Sequence, residues 1–458
     1  MSSLTALSNI AESALMAQEA AMQVTGQNIA NAQTPGYSRQ SLLLNASTPQ
    51  NTPFGSFGTG VTMASVTRNR DTLLDQQYRN QSAPSAAYQE RSSLLGQIQD
   101  VYGEPSTTGL ANTIDNFFNS WSELASNPDD SSAKAVVQQA GAQLASTFNN
   151  YATQLSNIAA SNTTGITNTV SQVNSLVSQI AAMNQQIVAA KTATSSPNDL
   201  MDQRDQLLDQ LSQTVAITVS TNANGSDQVN IGGIEIVNGT ATKSLSIGTG
   251  IPYTLTTSTG DTLQSPGGQL GAMLTVANND LPAAQNGLNA LASSIITDVN
   301  NMHATGWSPP AGTGVDFFDS NPANANAQNM QLSATVAADP STIATGTTPN
   351  ATGDNSVALA IAGLQNFSPS AAGNSFSGAY STLVTTVANS KNAADSSSTV
   401  YQTLQQQADT QRQSVSGVNT DEELTQMISQ QQAYVAAAKL METIQAMSTA
   451  LLSIAPST

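Results

Sequence analysis

A chain of 458 residues can hold two to four domains, so core size places no limit on its fold. Only 9% of the residues are charged and 4% aromatic, against about 25% charged in a typical soluble domain, which leaves a polar, weakly charged surface that favours packing against copies of itself. The net charge of -18, from 12 Lys+Arg and 30 Asp+Glu, opposes nucleic acid and anionic membrane as partners, and Arg39, Arg68, Arg70, Arg79 and Arg91 are too sparse to form a binding stripe.

Residues 4–32 read as one helix. Ile10, Ala14, Ala17, Ala21 and Val24 recur at alternating intervals of four and three, and Leu7 and Ala11 widen that stripe. Its alanine content suits close helix–helix approach. Asn28 and Asn31 can satisfy backbone groups as the helix ends, and Thr34-Pro35-Gly36 stops it, since Pro cannot continue a helix and Gly accepts positive φ. Residues 41–67 alternate apolar and polar with several Gly and Pro, so short strands and turns are expected.

Helical periodicity returns over 71–102, and over 113–124 after Gly103-Glu104-Pro105. It returns again from 133 almost to 191, where Ile166, Val170, Val173, Val177, Ile180 and Ile187 mark a second long seam. Ser195-Ser196-Pro197-Asn198 breaks it, and 199–213 is helical again. From Val215 the character changes: Val215, Ile217 and Val219 alternate with polar residues, and Asn224-Gly225 and Asn238-Gly239 signal turns. Helix resumes over 270–301, residues 304–355 read as loop with short strands, and 357–363 and 378–415 are helical.

At the carboxyl end, Thr420-Asp421-Glu422-Glu423 reads as a capping box in which the Thr420 hydroxyl takes the N3 amide and Glu423 reaches back. Leu440, Ile444, Met447, Leu451 and Ile454 then repeat at four and three, and Met427, Tyr434 and Met441 at seven. Such a helix is about 50 Å long. The expected fold is mainly α with inserted β: terminal helices forming a coiled-coil-like pair, a long helical bundle domain, and a small β-rich domain looped out. The expected division is 1–46 with 415–458 as a terminal helical assembly domain; 47–213, 268–303 and 356–414 as a helical middle domain; 214–267 as an inserted β domain; and 304–355 as an irregular segment.

Nothing points to catalysis. Without cysteine there are no disulfides, thiolate chemistry or Cys-ligated zinc. The one histidine, His303, has no evident ligand partners and reads as structural. Asp199, Asp202, Asp205 and Asp209, with Arg204 among them, lie near one helix face and read as a solvated acidic face favoured by the helix dipole rather than a metal site. Asn224-Gly225-Ser226-Asp227 reads as a hairpin turn, and no Gly-x-Ser-x-Gly, Walker or His-Glu-x-x-His pattern occurs. No catalytic residue, metal or cofactor is expected. The first basic residue is Arg39 and no apolar run approaches ~20 residues, so neither a cleaved secretory signal nor a membrane span is expected.

The stretch from Asn28 through Asn31, Thr34, Pro35, Gly36, Tyr37 and Arg39 to Gln40 resembles the amino-terminal signature of flagellar rod, hook and hook-associated axial proteins. Its Thr-Pro-Gly-Tyr-Ser-Arg-Gln form is most similar to members at the junction of hook and filament. Three further matches fall in order: residues 198–208, then 267–274 with Leu281-Pro282, His303, Gly306 and Asp316-Phe317-Phe318, and finally 417–434 with Thr420, Glu423 and Tyr434. The resemblance implies a structural adapter with no active site that polymerises at the distal end of the hook. It implies copies of itself in a ring, the hook protein, and the second junction protein on the filament side as partners. It also implies flagellar type III export from the cytoplasm, with a chaperone on the carboxyl-terminal helices, and an outer domain that is reduced or missing, since the chain is shorter than larger members. The competing readings are a secreted non-flagellar coiled-coil adhesin or effector, and another axial protein such as a hook or filament subunit.

Overall fold

The computed structural model describes residues 2–52, 55–103, 109–191, 196–308, 311–351, 353–370 and 374–454. Glu104, Pro105 and Ser195, read above as helix breakers, lie outside the described residues, as does the side chain of Ile454.

Helix α1 (Ser2–Ala30) is followed by a nested hairpin. Strands β1 (Gln40–Ala46) and β4 (Val61–Arg68) pair antiparallel around the short pair β2 (Gln50–Thr52) and β3 (Gly55–Phe57). The register shifts between Leu43 and Leu44, where Ala64 is the extra residue on β4. The hairpin leans on α1: Leu42 and Val66 share a cleft with Ala20, and the Val61 amide donates to Ser13 Oγ. Helix α11 (Thr420–Ile454) lies antiparallel to α1 on another side, with Ser8 opposite Met441, Thr25 opposite Gln430 and Asn28 opposite Glu423.

The bundle is built from α2 (Thr72–Tyr102), α3 (Leu110–Ser126), α4 (Ser131–Ala190), α5 (Asn198–Thr214), α6 (Gly268–Thr275), α7 (Leu281–His303), α8 (Ala334–Ala338), α9 (Ser356–Gly363) and α10 (Phe376–Ser416). Asp71 and Asp130 start α2 and α4 by accepting from Leu73 N and Ser132 N, each at 2.8 Å. At 60 residues α4 runs about 90 Å, and its expected seam from Ile166 to Ile187 is buried at all six positions. Helices α2 and α10 pack antiparallel along their length, with Tyr88 stacked on Tyr401 at 5.4 Å and the Arg412 guanidinium 3.9 Å from the centre of the Tyr78 ring.

The continuous helix expected over 270–301 is interrupted by a π-helical segment, Val276–Asp280, between α6 and α7. It aims Asn278 at both backbone groups of Tyr253 and Asp280 at Arg91. Between α5 and α6 the chain forms an antiparallel meander of β5 (Ile217–Thr221), β6 (Asp227–Ile231), β7 (Ile234–Asn238) and β8 (Ala241–Thr242). A second sheet follows, with β10 (Leu255–Thr257) between β9 (Leu245–Ile247) and β11 (Thr262–Leu263). Both sheets lie along α4, where Asn184 grips the carbonyls of Asp227 and Gly239 and Asn174 pairs with both backbone groups of Leu245. Gly267 and Gly268 both have positive φ, and a Cβ on Gly268 would sit 2.6 Å from the Thr214 backbone, so only glycine fits the return into α6. Residues 304–355 carry the strands β12 (Trp307–Ser308) and β13 (Gly312–Thr313) and, beyond the expected loop, α8, whose start is capped by Ser333.

Five of the aromatics form one buried cluster in the bundle core. Phe117, Phe118, Trp121, Phe317 and Phe318 are fully buried, with ring centres 4.9–6.4 Å apart in mostly edge-to-face contacts. His303 packs edge-on to Trp121 and Phe317. Its Nδ1 donates to Val315 O at 2.7 Å while Nε2 accepts from Ala344 N at 3.0 Å. Burial holds it at about 4, below its ordinary 6.5, so it is a neutral strut with both nitrogens in use.

Candidate functional site

The end of α1 is the point where the terminal helices meet the bundle. Asn31 closes the helix by donating to Gln27 O and accepting from Thr34 Oγ1, and Thr34 N donates to Asn31 O. Thr34, Pro35 and Gly36 are exposed on the resulting turn. Gly36 has φ +78°, and any Cβ there would collide with the Gln206 side chain, which donates to the Pro35 carbonyl.

Asn28, 2% exposed, uses its whole amide. Its Nδ2 donates to Gln40 O at 2.9 Å and Glu423 Oε2 at 3.0 Å, while its Oδ1 accepts from Tyr37 Oη and Gln40 N, both at 2.9 Å. One side chain thus fixes the end of α1, the turn, the start of β1 and the start of α11. Burial, followed by Asp199, Asp202 and Glu423, pushes the Tyr37 hydroxyl up to about 12, so it stays a donor. Glu423 completes the set by accepting from Arg39 Nε at 2.6 Å.

The expected capping box on Thr420 does not form. Asn419 caps α11 instead, its Oδ1 accepting from Asp421 N at 3.0 Å. The physical reason is that Glu423, which the box needs, is drawn away to the charged and amide partners on Arg39 and Asn28.

The next residue back, Ser38, holds the bundle. Its N and Oγ both donate to Asp202, at 3.0 and 2.7 Å. Asp202 and Asp205 also face Arg68 Nη1 at 2.6 and 2.8 Å; Arg70 pairs with Asp75 and Asp205, Arg79 with Asp205 and Asp209, and Arg412 of α10 with Asp209. The reading of 199–209 as a solvated face is therefore corrected. Asp199 is exposed, but Asp202 and Asp205 are 6% and 7% exposed, because three arginines from β4, α2 and the connection between them close over them. Burial opposes the charge on Asp205, yet Arg70, Arg79 and Arg68 hold its carboxyl down at about 2. Arg204 faces the other way, to Asn184, Gly225 O and Asp227. All seven arginines of the chain are paired with carboxylates, mostly between elements, whereas the paired lysines make local contacts. With these oxygens occupied by guanidinium groups, the cluster is a cross-link and offers neither a free base nor a vacant ligand set.

The periodic residues of the terminal pair divide into two groups. Ala17 and Ile444 are buried, Ile10, Ala14, Ala21, Val24, Met427 and Met441 are half-buried, and the Gly26 backbone faces Met427. Leu7, Tyr434, Leu440, Met447 and Leu451 are 36–54% exposed. The expected α1 stripe is divided between α11 and the hairpin, and Ala11, Thr25 and Asn28 are its other buried members. Leu424, Ile428 and Val435, absent from the sequence reading, are also exposed.

Local pattern does not single out Ser38, Asp75, Gln206 and Arg412, nor does it join the acids of 199–209 to the arginines of 68–79. One signal connected them. In a chain with so few charges, arginines cluster in one segment and aspartates recur at intervals of three and four in another, which is what a buried inter-element network requires.

The family described as Flagellar hook-associated protein FlgK helical domain matches residues 95–318. Flagella basal body rod protein matches 9–37, and Flagellar basal body rod FlgEFG protein C-terminal matches 410–454. The chain is similar to flagellar hook-associated protein 1 of Bacillus subtilis, with 30% identity over 94% of each chain. It is 27% identical to that of Salmonella typhimurium, over 98% of this chain and 100% of the other. In fold it is similar to the flagellar hook junction protein FlgK from Burkholderia pseudomallei, at TM-score 0.65 and 19% identity over 74% of this chain and 100% of that one.

Proposed function

The chain belongs to the flagellar hook-associated protein 1 family, and from that premise we propose that it forms a ring of subunits at the distal end of the hook. It is a structural adapter of the flagellar axis rather than an enzyme, an extracellular flagellar component that assembles with other axial proteins. In the finer reading, the hook protein lies on one side of the ring and the second junction protein on the other. The subunit is held in the cytoplasm by a chaperone on α11 and leaves through the flagellar type III channel. Residues 1–46 and 415–458 act as the assembly domain on the helical middle domain of 47–213, 268–303 and 356–414, with 214–267 as the β insertion and 304–355 as connecting structure.

The observation that carries this reading is the exposure of Leu424, Ile428, Val435, Leu440, Met447 and Leu451 on one helix. Burying one such side chain contributes roughly 1.5–3 kcal/mol, and α1 alone leaves them uncovered. A neighbouring subunit completes that burial through heterologous contacts, so the site residues from Leu7 to Val24 and from Met427 to Ile454 serve assembly. Deleting the gene should leave hooks without filaments, scored by electron microscopy; unchanged motility would overturn the reading. Removing residues 440–458 should leave a folded bundle but no junction.

A further inference from the structure

Resting on that reading, we infer that neighbouring copies join through a ridge on one side of the terminal pair and a groove on the other. The ridge is Leu424, Ile428 and Val435 of α11, each about half exposed. The groove lies between the hairpin and α11. Its floor is Ala21 and Val24 of α1, its walls Leu42 and Leu44 on one side and Gln426 and Gln430 on the other, and the Arg39–Glu423 ion pair also lines it. Leu42 and Leu44 share a face of β1, since the register shift is taken up on β4.

Two geometric facts match ridge to groove. At about 100° per residue, Ile428 and Val435 lie roughly 140–180° around α11 from Gln426 and Gln430, so the two surfaces face opposite ways. They also share one level along the helix, because the groove is walled by the same turns of α11 that carry the ridge. A ridge and a groove at equal height on opposite sides make a heterologous contact that repeats sideways, which is the geometry of a ring or a shallow helix.

Charge selects a second copy as the occupant. Every arginine is consumed by an internal carboxylate, so a surface with net charge -18 has little cation to offer another molecule of itself. Residues 40–67 and 424–438 contain no charged residue. Copies therefore repel through their bodies and meet at the uncharged ridge and at the groove, where the one charged pair, Arg39 with Glu423, cancels itself, and screening that repulsion strengthens the contact.

The absence of cysteine makes the test direct. Leu44→Cys and Ile428→Cys chains are expressed together with the unaltered chain, so that filaments form, and isolated hook–filament structures are mildly oxidised. Disulfide-linked dimers are expected from cells carrying both variants and none from cells carrying either variant alone; a chain with both substitutions should give a ladder. Dimers from a single variant, or no cross-link in structures shown by immunolabelling to contain the variants, would overturn the contact while leaving the junction reading intact. Absence of the protein from those structures would overturn the junction reading itself. As a second measurement, sedimentation of the unaltered chain should show self-association rising as ionic strength increases through about 0.1 M; a fall, or no change, refutes an uncharged interface.

Discussion

Helices α4 and α11 carry apolar residues at the same spacing yet end in different environments. Along α4, Ile166, Val170, Val173, Val177, Ile180 and Ile187 are all at most 6% exposed. Along α11, Ile444 is buried, while Leu440, Met447 and Leu451 are 41–54% exposed. The cause is the number of neighbours. Helix α4 is covered by α3, α5, α6, α7 and the edges of both sheets, whereas α11 has α1, whose facing side is mostly Ala, Ser, Gly and Thr. Helical periodicity shows that a partner is required; it does not show that the partner belongs to the same molecule.

The contrast can be broken at the cross-link between the two regions. Asp205→Ala strips three arginines of a shared carboxylate, and the loss of a partner from a buried network costs about 3–5 kcal/mol in unfolding free energy, read from denaturant titration. Next in size is the bundle seam: Ile180→Ala should cost about 2–5 kcal/mol in the same titration, because its neighbours cannot collapse into the space.

Acid should weaken the bundle through His303. Its folded value of about 4 lies below its ordinary 6.5, so the unfolded chain takes up the proton first as pH falls. The stabilisation is full above about 6.5 and is lost as pH falls to about 4, a change of about 3 kcal/mol. Denaturation midpoints at several pH values check this, and a His303→Gln chain should show a shallower decline over that window. The smallest effect sharpens the contrast most. Met447→Ala, at a position 54% exposed, should change monomer stability by no more than about 0.5 kcal/mol while reducing filament number in cells. A large loss of monomer stability would mean that α11 is already fully partnered within the chain.

The sequence by itself determined the long helices, the β insertion and the stop at Pro35-Gly36. Each of these depends on local preferences: the 3.6-residue period, the ring of Pro35, the positive φ of Gly36 and the turn residues Asn224-Gly225 and Asn238-Gly239. The structural role of His303 was also legible, since a lone imidazole without ligands has few other uses. Only the tertiary structure decided what Asn28, Ser38 and the acids of α5 do. Their partners lie 9 to 395 residues away, and nothing in the local pattern separates a solvated Asp from one closed under three arginines. The same limit explains the cap of α11. Locally Thr420 and Glu423 suit each other, but an ion pair with Arg39 and a hydrogen bond from the Asn28 amide outcompete one capping contact, and both partners come from the other end of the chain.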